Sequence, residues 1–289
     1  MLRNMLITFL PMSCEADCRR AAGRLYPGRL VWITRKTLDR AAQQVYTRRM
    51  RSLPLFLALV LVGVPARALC PMGSVEVEGK FCVDRFEGSL VETSGGSEKP
   101  WPANLPLLSS ATYKAVSQSG RLPQGYISGE QAAKACAAAG KRLCTNAEWV
   151  QACRGPKNTD FPYGAAYQSG ACNEHGQDPK HKDPMHRLFG ATPAYDMREM
   201  NDPRLNLQPE TVEPGGTFSS CKSGYGAYDM VGNLHEWVSD VDKSGRGRFN
   251  GGYFNEADQH GPGCTYKTTA HLFAYHDYST GFRCCSDYR

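Results

Sequence analysis

Gly226-Ala-Tyr-Asp-Met-Val-Gly-Asn-Leu-His-Glu-Trp237 decides the reading of this chain, together with Gly281-Phe-Arg-Cys-Cys285 near its end. Neither a 3.6-residue nor a 2-residue period fits the first stretch. Gly226, Gly232 and Asn233 interrupt both, and they favour tight turns and left-handed backbone. Asp229 and Glu236 stand between these breaks, beside the bulky Tyr228, Met230 and Trp237. Such a mix suits an irregular buried loop whose carbonyls and carboxylates converge on a hard cation such as calcium, which takes oxygen ligands in flexible geometry. A turn with two solvated acids satisfies the same residues, and composition alone leaves both readings open.

The pattern as a whole resembles the signature of the formylglycine-generating enzyme, or sulfatase-modifying factor, family. Further pieces stand in the family's order: Gly140-Lys-Arg-Leu-Cys-Thr-Asn-Ala-Glu-Trp149, Phe161-Pro-Tyr-Gly164, Asn250-Gly-Gly-Tyr253 and the closing Gly281-Phe-Arg283. Cys144 and Asn146 depart from it. The resemblance covers the chain from about Val75 to Cys285. It implies a disulfide-rich, loop-rich α+β domain of the C-type-lectin-like kind, with two helices on a twisted antiparallel sheet. It also implies structural calcium. Asp229 and Glu236 would ligate through their side chains, Gly232 and Leu234 through backbone carbonyls, and a second site would draw on Asn173 and Asp202.

Enzymes of this family oxidise a client cysteine with O₂ on copper, held by two cysteines five residues apart after a Gly-Gly-Ser. Soft thiolates suit Cu(I). Here the interval from Lys222 to Gly263 holds no cysteine, and Tyr253 replaces the serine. Glu256 and Gly261 occupy the copper positions when counted from Gly251-Gly252; Phe254 and Gln259 do when counted back from Cys264. The expectation is a binding or structural module without copper and without catalytic residues. The alternative is an oxidoreductase of the same class, or a related periplasmic one, working through a different site. A cleft near Tyr253, Phe254 and Tyr266, beside Trp237, would offer aromatic rings to a sugar or an extended peptide; core packing is the competing reading of the same residues. The polar loops between Asn173 and Phe218 would add surface for a peptide, glycan or partner domain. His175, His181 and His186 match no zinc spacing and read as surface residues. No Gly-x-Ser-x-Gly elbow and no phosphate loop occurs, which leaves hydrolase and nucleotide chemistry without an anchor.

Residues 1–49 show no core pattern and read as a non-native upstream extension. Met50-Arg51, the apolar run Leu53–Val64 and Ala66-Arg67-Ala68 read as a secretory signal peptide over 50–68. A single domain over 69–289, secreted or periplasmic and monomeric, is expected to follow; a lipid anchor on Cys70 is the lesser alternative. The whole chain carries a net charge of +6, but the first 68 residues hold 12 basic and 3 acidic side chains, leaving 22 basic and 25 acidic beyond them. No basic patch for nucleic acid remains.

Ten cysteines lie beyond the leader, and an even number in an exported chain implies disulfides. The family resemblance implies Cys136–Cys284 and Cys153–Cys264. Cys70–Cys82 would close a hairpin around Gly79. Proximity assigns the rest as Cys144–Cys172 and Cys221–Cys285. Two helices are predicted from capping boxes, Ser128-Gly-Glu-Gln131 running on to Gly140 and Thr145-Asn-Ala-Glu148 running to about Cys153.

Overall fold

The computed structural model describes residues 70–175 and 183–289. The leader assignments over 1–49 and 50–68, and His181, lie outside the described residues.

The hairpin and both helices form where their local signals place them. Strand β1 (Ser74–Val77) turns through Glu78 and Gly79, both at positive φ, into β2 (Phe81–Asp84). The turn brings Cys70 and Cys82 into a disulfide. Helix α1 (Gly129–Ala138) is capped by Ser128, whose hydroxyl accepts from Gln131 N while the Gln131 side chain accepts from Ser128 N. Thr145 and Glu148 do the same for α2 (Asn146–Arg154). Reciprocal capping satisfies two backbone donors that a helix start otherwise leaves open. Both helices bury one face, Ala132, Ala135 and Cys136 on α1 and Trp149, Ala152 and Cys153 on α2.

The sheet differs from the single antiparallel layer expected. Three small sheets form instead. β3 (Ser89–Glu92), β4 (Lys99–Pro100) and β5 (Tyr113–Val116) pair in the order β4-β3-β5. β6 (Arg142–Leu143) and β11 (Cys284–Asp287) complete a sheet ordered β1-β2-β11-β6. The third contains β7 (His235–Val241), β8 (Gly247–Asn250), β9 (Lys267–Thr268) and β10 (Thr280–Phe282), in the order β10-β7-β8-β9, with β10 parallel to β7. That parallel pair sets the Gly281-Phe-Arg283 segment alongside the Glu236-Trp237 end of the Gly226–Trp237 stretch. Two short helices, α3 (Pro184–Phe189) and α4 (Met197–Met200), order the long excursion after Asn173. Among the described residues no helix is long and apolar enough to cross a membrane.

Five disulfides join all ten described cysteines. Cys136–Cys284 and Cys153–Cys264 are present as the resemblance implied. The two bridges assigned by proximity are corrected: Cys144 pairs with Cys285, and Cys172 with Cys221. The reason is strand pairing. Leu143 of β6 sits opposite Cys284 and Arg142 opposite Cys285, so Cys144 leaves β6 beside β11. Adjacent side chains on a strand point to opposite faces, hence Cys284 reaches α1 while Cys285 reaches the start of α2. Cys172–Cys221 instead clamps the two ends of the long excursion. Peptide mapping without reduction should recover Cys144 linked to Cys285 and Cys172 linked to Cys221; a Cys144–Cys172 peptide would refute this topology.

Candidate functional site

Four positive-φ residues shape the loop before β7: Gly226, Asp229, Gly232 and Asn233. A Cβ on Gly232 would lie 2.1 Å from the Asn173 carbonyl oxygen, so only glycine allows this approach. The loop delivers Glu236 to a guanidinium buried in the interior. Arg283 and Glu236 are 0% and 1% exposed at their side chains. Arg283 Nε donates to Glu236 Oε2 and Nη2 to Oε1, each at 2.6 Å. The remaining donors reach the Asp84 carbonyl at 3.0 Å and the Tyr228 carbonyl at 2.9 Å. Glu236 Oε2 also accepts from Trp149 Nε1 at 2.7 Å. One ion pair therefore ties together β2, α2, β7, the loop and the link between β10 and β11.

Two further acids face this pair. Glu87 accepts from Leu234 N and from the Asn233 side chain. Burial, with the charges of Glu236 and Asp229, pushes its carboxyl well above the ordinary range. Asp229 Oδ2 accepts from Gly216 N at 2.7 Å. Burial raises its pKa to about 6, Glu236 adding to the rise and Arg283 opposing it. Three acids thus share one arginine. Glu87 was not foreseen: a lone acid between Phe86 and Gly88 carries no periodic signal.

The calcium ligand set meets this geometry only in part. Its donors are hard oxygens, and Asn173 Oδ1 is a buried acceptor without a hydrogen-bond partner among the described residues. Asn173 also touches the loop directly, its carbonyl accepting from Asn233 N. Glu236, however, is already engaged by Arg283 and Trp149, and Asp202 forms an ion pair with Arg204 at 2.6 Å. Among the described residues no three His, Cys, Asp or Glu side chains are grouped to hold a metal. A cation here would have to lean on backbone carbonyls.

The segment after Gly251-Gly252 forms a fastened turn without a cysteine. A Cβ on Gly252 would come within 2.4 Å of Ala257, and Tyr253 and Glu256 exchange backbone hydrogen bonds at 2.7 and 3.0 Å. Glu256 Oε1 accepts from Asp258 N and Gln259 N, and Oε2 accepts from the Tyr266 hydroxyl at 2.7 Å. In the other register Phe254 is fully buried. Cys264 is held by Cys153.

The aromatic platform is corrected. Phe254 and Tyr266 are 0% and 2% exposed, and Trp237 is buried with its Nε1 donating to the Ile127 carbonyl. Phe254 packs with Tyr126, Met185, Leu205 and Tyr278; Tyr253 lies partly buried against the same cluster. These rings are core. Their neighbour His235 is equally enclosed, with ring centroids of Phe249 and Tyr253 at 4.5 and 4.8 Å. Burial lowers its pKa to about 3, so it stays neutral. The open space lies one turn away: a cavity of about 320 Å³ between Phe161–Tyr167 and Ala257–Gly263, with Val231 and Glu174 completing its wall.

With this geometry in place, residues 89–287 match the sequence model of the "Sulfatase-modifying factor enzyme 1-like domain" (FGE-sulfatase). The chain belongs to this family. It is 34% identical over 119 residues to the mouse protein named "Formylglycine-generating enzyme", covering 41% of this chain and 27% of the relative. It is 30% identical over 119 residues to the bovine "Inactive C-alpha-formylglycine-generating enzyme 2", covering 40% and 32%. The matches span a third or less of those relatives, so their whole-protein activities do not transfer with them. Among solved structures it is similar to PvdO from Pseudomonas aeruginosa (TM-score 0.44, 16% identity, 72% of this chain and 80% of that one). A second is CarF (TM-score 0.41, 17% identity, 72% and 87%). Similarity at that level does not by itself establish a shared fold.

Replacing Arg283 with methionine should cost about 3–5 kcal/mol in urea unfolding, because the buried Glu236 carboxylate loses its counter-charge. Arg283→Met combined with Glu236→Met should cost less than the sum of the two single changes. Full additivity would show that the pair is not a unit.

Proposed function

We propose that this chain is an exported binding or structural module that keeps the family's scaffold without its copper chemistry, on a C-type-lectin-like variant of the fold. One observation carries the reading: all ten described cysteines are in disulfides, and the positions of the copper pair hold a hydrogen-bonded carboxylate and a glycine, or a buried phenylalanine and a glutamine. Neither register offers a thiolate to Cu(I). Five disulfides suit an oxidising compartment, in keeping with the signal-peptide pattern over 50–68. The sulfur of Cys70 is bonded to Cys82 and so is not free to carry a lipid thioether. A relative named inactive accords with a family branch that has set catalysis aside.

The test is direct. Incubated with copper, a thiol reductant, O₂ and a cysteine-containing sulfatase peptide, the protein should yield no aldehyde trappable by a hydrazide probe. Catalytic aldehyde formation would overturn the reading and favour an oxidoreductase working through another site.

Structural calcium belongs to the same proposal: Asp229 and the Gly232 and Leu234 carbonyls at one site, where Glu236 is already taken up by Arg283, and Asn173 at a second, where Asp202 is paired with Arg204. Two observations support it: three buried acids share one arginine, and Asn173 Oδ1 is unsatisfied. At a hundredfold excess over Kd, calcium should raise the melting temperature by roughly 5–10 °C relative to chelator. Asp229→Ala should reduce that difference. A wild-type protein with equal melting temperatures under both conditions has no such site.

A further inference from the structure

The cavity beside the lost copper positions is built from two stapled walls. Cys264 N donates to the Asp160 carbonyl at 2.8 Å, and the Cys153–Cys264 disulfide fixes the same corner to α2. Gly263 lies against Phe161 so closely that a Cβ there would come within 2.6 Å of the ring. Phe161 stacks on Tyr163 at 5.4 Å, and Tyr167 tilts against Phe161 at 6.0 Å. The Tyr163 hydroxyl accepts from Gln168 N, and the Tyr167 hydroxyl donates to Glu174 Oε1 at 2.5 Å. These contacts hold three aromatic rings in place before anything binds.

Among the described lining residues the charged side chains are acidic. Glu174 and Asp258 are on its wall, and no lysine, arginine or histidine is among its described lining residues. Burial, with Asp258 adding to it, raises the Glu174 carboxyl above its ordinary range, while the Tyr167 hydroxyl opposes the rise. Aromatic faces present negative quadrupole to a cation, and ammonium groups are the ligands that aromatic walls take best. The volume, about 320 Å³, lies at the low end for ligand sites and fits one headgroup or one side chain rather than an oligosaccharide.

We propose that this cavity binds an organic cation, an ammonium or guanidinium group on a short arm, beside the Phe161–Tyr163 stack and the Tyr167 ring and against the Glu174 carboxylate. It deepens the binding-module reading by naming a ligand class, and rests on that reading for the expectation that the cleft has a ligand. The cation could belong to a free amine or to a side chain of a peptide, and the probes separate the two sources.

Titration calorimetry of the full chain would use choline and N-acetyl-lysine methylamide, with 3,3-dimethylbutanol as the neutral isostere of choline. At least one cation should bind saturably, and the neutral isostere about tenfold or more weakly by comparison. Preference for choline assigns a free amine, and preference for the lysine derivative assigns a peptide side chain. Tyr167→Ala and Glu174→Gln should each weaken binding by roughly fivefold or more. Tyr167 is 44% exposed, so its variant should fold even if Glu174→Gln does not. No saturable binding of either cation, equal binding of the neutral isostere, or an unaffected Tyr167→Ala variant would overturn the proposal. Aldehyde formation with intact cation binding would remove only the non-catalytic reading; absent aldehyde with absent cation binding would remove only this one.

Discussion

The buried Arg283–Glu236 pair is the contact through which most of this molecule is joined. Its two charges are completely withdrawn from water, which is costly unless every donor and acceptor is matched. Matching requires elements from far along the chain: the Asp84 carbonyl at the end of β2, Trp149 from α2, the Tyr228 carbonyl in the irregular loop, and β10 running parallel to β7. The left-handed turns at Asp229, Gly232 and Asn233 follow from the same demand, since they deliver Glu236 at the required place. Around this centre the regular structure is sparse, and disulfides take over much of the joining. Cys284 and Cys285 are one residue and two residues beyond Arg283, and each is fastened to a helix or its cap.

The residues that the resemblance sets at the family's copper positions are not part of this centre. They lie on a turn outside the ion-pair centre, held by Gly252, the Tyr253–Glu256 backbone pair and the Cys153–Cys264 bridge. Glu256 caps that turn, a role any short hydrogen-bonding side chain of suitable reach could fill. What persists beside the turn is a pre-shaped aromatic cavity with acidic walls.

Local signals were the legible part of the sequence. Capping boxes at Ser128 and Thr145 placed both helices, and Gly79 with Cys82 placed the first hairpin. The glycines and Asn233 of the signature announced an irregular backbone, and Asp229 joined them at positive φ. What failed depended on contacts between distant strands. Cys144 looks near Cys172 along the chain, but the β6–β11 pairing, invisible in a two-residue strand, turns it to Cys285. The single antiparallel sheet failed for the same reason, because every strand but β7 has only two to four residues, too few for alternation to show its partners. Glu87 and His235 gave no warning, since a lone polar residue among apolar neighbours reads as exposed until its partners are known. The aromatics Phe254 and Tyr266 suggested a platform, whereas the rings that line space come from Phe161–Tyr167, separated from Ala257 by about ninety residues of chain.

A chain that keeps the scaffold without the copper chemistry has no soft-metal site, and Cu(I) affinity measures that most directly. Competition for Cu(I) against a bathocuproine-type chelator, under anaerobic conditions and with the disulfides intact, should show no transfer of metal to the protein. Stoichiometric uptake of one Cu(I) by residues 69–289, with sulfur ligation in the X-ray absorption edge, would contradict this, because it would require two of the ten described cysteines to be thiolates.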